Sequence, residues 1–484
     1  MYEIFDCFLY KTSNEQKCVF TQKCSTLNLT YKQKIEYTIV EQKCVFTQKC
    51  SAEGRMIKRD YYLNKLVSKQ NNGMVKIITG IRRCGKSYLL FTLYRAYLLE
   101  SGVEANHIIA LALDEIENQK YRNPNELDKY IKECIINDGK TNYVFIDEIQ
   151  FVKEVDNPYL EGAKVGFTDV LLGLMKLANV DVYVTGSNSK MLSSDIVTEF
   201  RGRGDEIRVH PLSFKEFYES YNGNKTKAWD EYSLYGGMPF LMSINSDEGK
   251  SDYLKKLLDT VYISDILERN NLKKDSLFIG ELLDILASST GSLTSPTKLA
   301  KTYKSITNDT VSLNTVLSYM TFFEDSFLIS KAVRYDIKGK SYIDSPSKYY
   351  FEDIGLRNAR LGFKERDITH IMESVIYNEL ILRGFNVNVG VIEHYFKNIE
   401  GKTERLSLEI DFVCNKGNKR YYIQSAYAIP NNEKRIQETR GFLKIDDSFK
   451  KIVVLKDCYT PWNDDNGVFY IGLEDFLLNY EYLN

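Results

Sequence analysis

Residues 75–87, VKIITGIRRCGKS, restrict the fold more than any other part of the chain. A short apolar run with β-branched residues reads as a buried strand, the next eight residues fit G-x-x-x-x-G-K-[ST], and YLLFTLYRAYLLE carries a helical pattern. A strand, a glycine loop and a helix in that order set backbone N–H groups and the positive end of a helix around a phosphate. Gly80 and Gly85 let the backbone come close, Lys86 reaches the β and γ phosphates as a point charge, and Ser87 offers a hydroxyl to Mg2+. Ile81, Arg82, Arg83, Cys84 and the following Tyr88 complete the expected nucleotide-binding loop. Cys84, close to N–H groups and Lys86, is expected to favour its thiolate where exposed, or else to be a merely tolerated small residue.

Further strand-like runs follow, HIIALAL, YVFI and VDVYVT, separated by the helical patterns NELDKYIKECII and FTDVLLGLMKLA. This βαβ alternation predicts a three-layer α/β domain with a right-handed parallel sheet, closing with EIRVH and the helix SFKEFYESY before a linker, NGNKT. The YVFI strand ends in Asp147 and Glu148, an acidic pair at the strand edge where ligands of open sheets gather. Asp147 is expected to hold Mg2+ and Glu148 to polarise the attacking water. Asn188, after VDVYVTGS, is placed either to sense the γ phosphate and lytic water or simply to make a turn. Arg201 and Arg203 are candidates for a transition-state arginine, in cis or in trans; the alternative is a surface turn paired with Asp205 or Glu206.

Beyond residue 222 the chain turns helical. Three helical segments within residues 277–328, then a hairpin pattern LISKAVRYD-IKGK-SYIDSPSKYYFED, give the plan of a winged helix. Lys298, Lys301, Lys304, Lys331, Arg334, Lys338 and Lys340 form a modest basic excess, suited either to DNA phosphates or to a solvated or protein-contacting face. ESVIYNELILRG and five strand patterns then predict a second α/β domain.

Taken together, TGIRRCGKSYLL, VFIDEIQ, YVTGSNSKMLSS, EFRGRGDEIRVHPLSFKEF, YGGMPF, KYYFEDIGLRNA, EIDFVC and YYIQSAYAI resemble the prokaryotic AAA-type P-loop ATPases that carry a C-terminal domain of unknown function. The resemblance implies an AAA-type ATPase domain at 56–222, a helical lid and winged-helix region at 223–365, and a restriction-endonuclease-like domain at 366–484. It implies ATP and Mg2+ as cofactors and ATP hydrolysis as the activity. The alternatives are an ATP-gated DNA-binding regulator without significant turnover, or a metal-dependent nuclease. A DNA or protein partner and a homo-oligomer are compatible with all three. In the tail, Glu373, Asp411 and Gln424 occupy positions resembling a nuclease core, but Gln424-Ser425-Ala426 stands where such cores carry E-x-K. Neutral glutamine and alanine supply neither a charged ligand nor a lysine, so no nuclease activity is expected.

The first fifty-five residues read differently. EQKCVFTQKCS occurs twice, letter for letter, at 15–25 and 41–51. Two identical copies suggest duplicated DNA rather than a solenoid, and C-x5-C without a nearby histidine is poor zinc spacing. Residues 1–55 are therefore expected to be a disordered or spurious extension, with Met56 as the natural start. Lys and Arg (64) nearly balance Asp and Glu (66), which argues against a chain that coats polyanions throughout. No apolar window is long enough for a membrane span and Glu3 and Asp6 stand where a secretion signal would be basic, so a cytoplasmic protein is expected.

Overall fold

A computed structural model of the chain describes residues 57–187, 202–270, 272, 276–364, 367–397 and 403–483. The duplicated segments, Asn188 and Arg201 lie outside the described residues.

After helix α1 (Asp60–Ser68) come β1 (Val75–Thr79) and a long helix, α2, built from Lys86–Tyr88, a wide-turned π segment Leu89–Tyr94 and Arg95–Glu100. Next are β2 (Ile108–Ala112), α3 (Pro124–Cys134), β3 (Asn142–Asp147), α4 (Phe167–Leu174), β4 (Val180–Thr185), β5 (Gly204–Arg208) and α5 (Phe214–Ser220). The five strands form one parallel sheet in the order β2-β3-β4-β1-β5. Helices cover both faces, so β1 and β3 are buried along their whole length, as continuous apolar runs require. Lys76 is the exception within β1. Its ammonium is fully buried and pairs with Asp181 of β4, which also accepts from the Tyr183 hydroxyl at 2.7 Å. A buried charge persists there because it is paired.

The helical part comprises α6 (Ala228–Tyr235), α7 (Asp247–Lys256, a π segment Leu257–Ile263 and Ser264–Arg269), α8 (Ser276–Ser288), α9 (Pro296–Thr307) and α10 (Leu313–Asp325). Serine side chains cap three of these helices, Ser246, Ser295 and Ser312 accepting from the N–H three residues on. Their buried Leu282, Leu286, Leu299, Val316 and Phe323 belong to the same core as Leu89, Leu90 and Tyr94 of α2, so the helical part is packed onto the phosphate-loop helix.

The rest is a mixed eight-stranded sheet. Its strands are β6 (Ile329–Asp336), β7 (Ser341–Phe351), β8 (Asn386–Lys397), β9 (Thr403–Lys416), β10 (Lys419–Ala426), β11 (Lys450–Leu455), β12 (Trp462–Asn463) and β13 (Val468–Gly472), in the order β12-β13-β11-β10-β9-β8-β6-β7. Helices α11 (Ile354–Arg360) and α12 (Ile368–Leu382) precede β8, while α13 (Asn432–Thr439) and α14 (Leu473–Leu478) come later. The β6–β7 hairpin, expected to be the wing of a separate middle region, joins this sheet because β6 pairs in parallel with β8, Tyr335 opposite Gly390. That pairing satisfies a strand edge that would otherwise stay open. Among the described residues no helix is long and apolar enough to cross a membrane.

Candidate active site

The loop between β1 and α2 is held by contacts that only glycine permits. Gly80 has φ 137°, and a Cβ there would lie 2.0 Å from the carbonyl oxygen of Val209. Gly85 has φ 100°. Lys86 is buried, its Nζ donating to the carbonyls of Gly80 at 3.0 Å and Ile81 at 3.1 Å, so the ammonium sits over the mouth of its own loop. Arg83 is exposed at φ 62°. Arg82 pairs with Asp265 of α7 at 2.7 Å, and its carbonyl accepts from Tyr262 at 2.8 Å. The expectation of a reactive thiolate at Cys84 is corrected. Its side chain is fully buried, Sγ donates to the Val209 carbonyl at 3.3 Å, and burial pushes the thiol pKa up. Arg59, which sequence reasoning missed, clamps the loop from the start of α1. Its Nη1 donates to the Cys84 carbonyl at 3.0 Å, its Nη2 to the His210 carbonyl at 2.7 Å, and the guanidinium pairs with Glu216.

Asp147 and Glu148 reach the same edge of the sheet. Burial pushes the Asp147 carboxyl up to about 6, against hydrogen bonds from the hydroxyls of Thr185 and Ser87. Thr185 also accepts from the Glu148 N–H at 3.0 Å, so one hydroxyl fixes both acidic residues. It, too, was missed: a threonine closing an apolar strand carries no signal until the sheet order sets β4 beside β3. Glu148 is in the left-handed region (φ 52°, ψ 51°), which turns its carboxylate off the strand line. The donor set suits a hard dication: a buried carboxyl whose charge is penalised by burial, next to the serine hydroxyl of the loop.

Arg203 is not brought to this edge. It is exposed at the start of β5, its carbonyl accepting from the N–H of Val75 at 3.2 Å, at the end of β1 opposite the loop. Five residues at ~3.3 Å each put it about 16 Å away along the strand direction. The neighbouring Asp205 is engaged by Lys69 instead.

In the C-terminal sheet, Glu373 of α12, Asp411 of β9 and Gln424 of β10 do come together. Asp411 N donates to Gln424 Oε1 at 3.3 Å, and Asp411 Oδ2 accepts from Ser425 N at 2.8 Å. The lysine absent from residues 424–426 arrives from another strand: Lys348 of β7 places Nζ 2.9 Å from Glu373, 2.8 Å from Glu409 and 3.6 Å from Asp411. Burial opposes the Lys348 charge, but these carboxylates outweigh it and hold its pKa above the ordinary value. Burial and the Glu373 charge push Asp411 up to about 7. Among the described residues no group of three or more His, Cys, Asp or Glu side chains is arranged to hold a metal. Of the basic residues in the hairpin and helices, Lys298, Lys301, Lys304, Lys338 and Lys340 are exposed, whereas Arg334 is spent on the Pro346 carbonyl at 2.8 Å.

The AAA domain family matches residues 72–218, and a domain of unknown function (DUF8612) matches residues 226–367. An uncharacterized protein of Haemophilus influenzae is 33% identical over 429 residues, covering 87% of this chain and 99% of that protein. An uncharacterized protein of Methanocaldococcus jannaschii is 28% identical over 430 residues, covering 84% of this chain and 86% of its own length. Among solved structures, the Orc1 protein of Aeropyrum pernix in complex with DNA is 12% identical, covers 64% of this chain and 93% of its own, and superposes with a TM-score of 0.24.

Proposed function

This chain carries an AAA domain at residues 72–218 and belongs to one family with the uncharacterized Haemophilus influenzae protein, and from its AAA domain we propose that it binds ATP with Mg2+ and hydrolyses it, using nucleotide state to control its C-terminal half. The observation that carries the reading is the meeting of Lys86, Ser87, Asp147 and Glu148 at one end of a parallel sheet, with the Thr185 hydroxyl bonded to the Asp147 carboxylate and to the Glu148 backbone N–H. Lys86 exchanges its contacts with the loop carbonyls for the β and γ phosphates, and the loop N–H groups bind the remaining oxygens. Ser87 and Asp147 are the residues to hold Mg2+, which supplies charge neutralisation on the phosphates. Glu148 accepts the proton of the attacking water.

Residues 56–222 act as the ATPase domain. The helices of 223–365 serve as lid and winged-helix-like part, and 366–484 as a nuclease-like domain that has lost cleavage and keeps a contact role in a cytoplasmic protein. Arg203, exposed and far from the loop in its own chain, is available only to a neighbouring subunit. Asn188 and Arg201 keep the roles expected from their positions in sequence. The exposed lysines support a DNA or protein partner for the C-terminal half.

The test is ATP binding and turnover by the purified chain. Lys86→Ala is expected to weaken ATP binding by roughly 1.5–3 kcal/mol, the usual value of a charge-assisted bond. Glu148→Gln is expected to bind ATP normally and to lose most turnover. Turnover in Glu148→Gln equal to that of the unmodified chain defeats the assignment.

A further inference from the structure

Cys84 and Gly85 share the peptide unit that closes the phosphate loop just before Lys86. A trans peptide points its C=O and its N–H in opposite directions, so whatever fixes one fixes the other. The Cys84 carbonyl is turned toward Arg59, whose Nη1 donates to it at 3.0 Å. The Gly85 N–H, on the other side of the same plane, donates to no protein group among the described residues. It stands at the start of α2, where loop N–H groups receive phosphate.

Gly85 by itself leaves that plane free to turn. Its φ of 100° is a conformation that suits glycine. A flip of the Cys84–Gly85 peptide changes this φ by about 180°, to about −80°, which is just as open to glycine. The flipped peptide would aim the negative end of a carbonyl at the phosphates and turn the N–H away from them.

Arg59 opposes the flip, and it is itself firmly held. Its side chain is 2% exposed, Nη2 donates to the His210 carbonyl at 2.7 Å, Nε lies 2.9 Å from Glu216, and the guanidinium sits 4.6 Å from the centre of the Tyr62 ring. Glu216 in turn keeps its other oxygen on the Ser213 N–H in the capping box of α5. A planar fork can serve two carbonyls and a carboxylate at once, and a single ammonium cannot match that geometry.

We propose that Arg59 is a positioning residue for nucleotide binding: it locks the Cys84–Gly85 peptide with the carbonyl outward and so presents the Gly85 N–H to a phosphate that ATP and ADP share. The proposal rests on the ATP-binding reading of the loop, and it adds a residue outside the glycine-lysine motif on which the motif depends.

The test is the affinity of folded protein, well below its Tm, for ATP, ADP and pyrophosphate, each read by competition against a fluorescent ADP. Arg59→Lys keeps the charge and loses the fork. It is expected to weaken all three ligands alike, by about 10-fold, the low end of what a charge-assisted bond to phosphate contributes. Glu216→Gln preserves the capping box, which accepts glutamine, but removes the charge that orients Arg59; about a 3-fold loss is expected, and this variant is decisive where Arg59→Lys does not fold. A merely structural clamp predicts a lower Tm with all three affinities unchanged. If the unmodified chain binds ATP, Lys86→Ala weakens that binding and both new variants bind pyrophosphate within about 2-fold of the unmodified chain, the proposal fails while the ATP reading stands. A loss seen with ATP and ADP but not with pyrophosphate also refutes it, because the defect then lies away from the phosphates. If the unmodified chain binds none of the three, both readings fall together.

Discussion

Glu352, in the segment joining β7 to α11, ties the AAA domain to the C-terminal sheet, and replacing it by glutamine tests that tie. Its side chain is buried and accepts from Arg208 Nη2 at 2.7 Å and from the His210 ring, both beside β5 of the AAA domain. Its own carbonyl accepts from Asn378 of α12 at 3.2 Å. Burial raises the carboxyl pKa, but Arg208 and His210 outweigh burial and bring it from 4.5 down to about 2. A drop of that size, at about 1.4 kcal/mol per unit, amounts to about 3 kcal/mol of folded-state stability. Because the folded pKa is the depressed one, this contribution is complete above pH ~4.5 and is lost as pH falls toward 2. Glu352→Gln keeps the shape and removes the charge. It is expected to lower the unfolding free energy by about 3 kcal/mol at pH 7, the low end of the ~3–5 kcal/mol for breaking a buried pair. At pH 3 the two proteins should differ by only about 1 kcal/mol, since most of the linked stability is already gone. Denaturant titrations at both pH values measure it. A gap that does not change with pH, or one below about 1 kcal/mol at pH 7, refutes the reasoning.

Three further outcomes are expected. Cys84, buried and with its thiol pKa pushed up, should resist iodoacetamide in the native chain and react readily in urea; fast native labelling that ATP blocks would contradict its placement. Lys348→Met leaves Glu373 and Glu409 facing Asp411 without their shared cation and should cost roughly 3–5 kcal/mol in denaturant unfolding. Since an internal ammonium already fills the space between those carboxylates, no cleavage of DNA or RNA is expected with Mg2+ or Mn2+. Cleavage that disappears in Asp411→Ala would overturn this.

The elements of the sheet were legible because their signals are local. An apolar run before G-x-x-x-x-G-K-S, or before Asp147, names a buried strand and the residues at its end. What stayed hidden depends on which strand lies beside which. Thr185 matters because β4 separates β3 from β1, and Lys76 is tolerable because the same neighbour brings Asp181. Lys348 lies 76 residues before Gln424, in a hairpin whose place in the C-terminal sheet rests on a parallel pairing with β8 that the pattern does not announce. Arg203, read from the sequence as a phosphate-reaching arginine in cis or in trans or as a surface turn, shows the same dependence: pairing of Val75 with Gly204 sets it at the end of β1 opposite the loop of its own chain, which leaves the trans and surface-turn readings.

The same logic explains why motifs far from the phosphate loop accompany it. Gly237 N donates to Asp353 Oδ2 at 2.7 Å, and Leu356 N donates to Asp353 Oδ1 at 3.1 Å, so YGGMPF and FEDIGLRNA close on one buried carboxyl. A Cβ at Gly236 would lie 2.3 Å from that carboxylate, and one at Gly355 would lie 1.9 Å from the Tyr235 carbonyl, so the two segments approach closer than any other residue allows. Pro239, in the first of them, lies 3.9 Å from where a Cβ of Gly85 would stand in the loop, and Arg59 holds the preceding carbonyl, that of Cys84. Asp353 and Glu352 are adjacent, so the same short stretch grips Gly237 after α6 and Arg208 of β5 in the AAA domain. Packed groups this tightly fitted do not deform gradually. If ATP reshapes the loop, as proposed above, Pro239 and Arg59 are the neighbours through which the change would reach Asp353 and the start of α11.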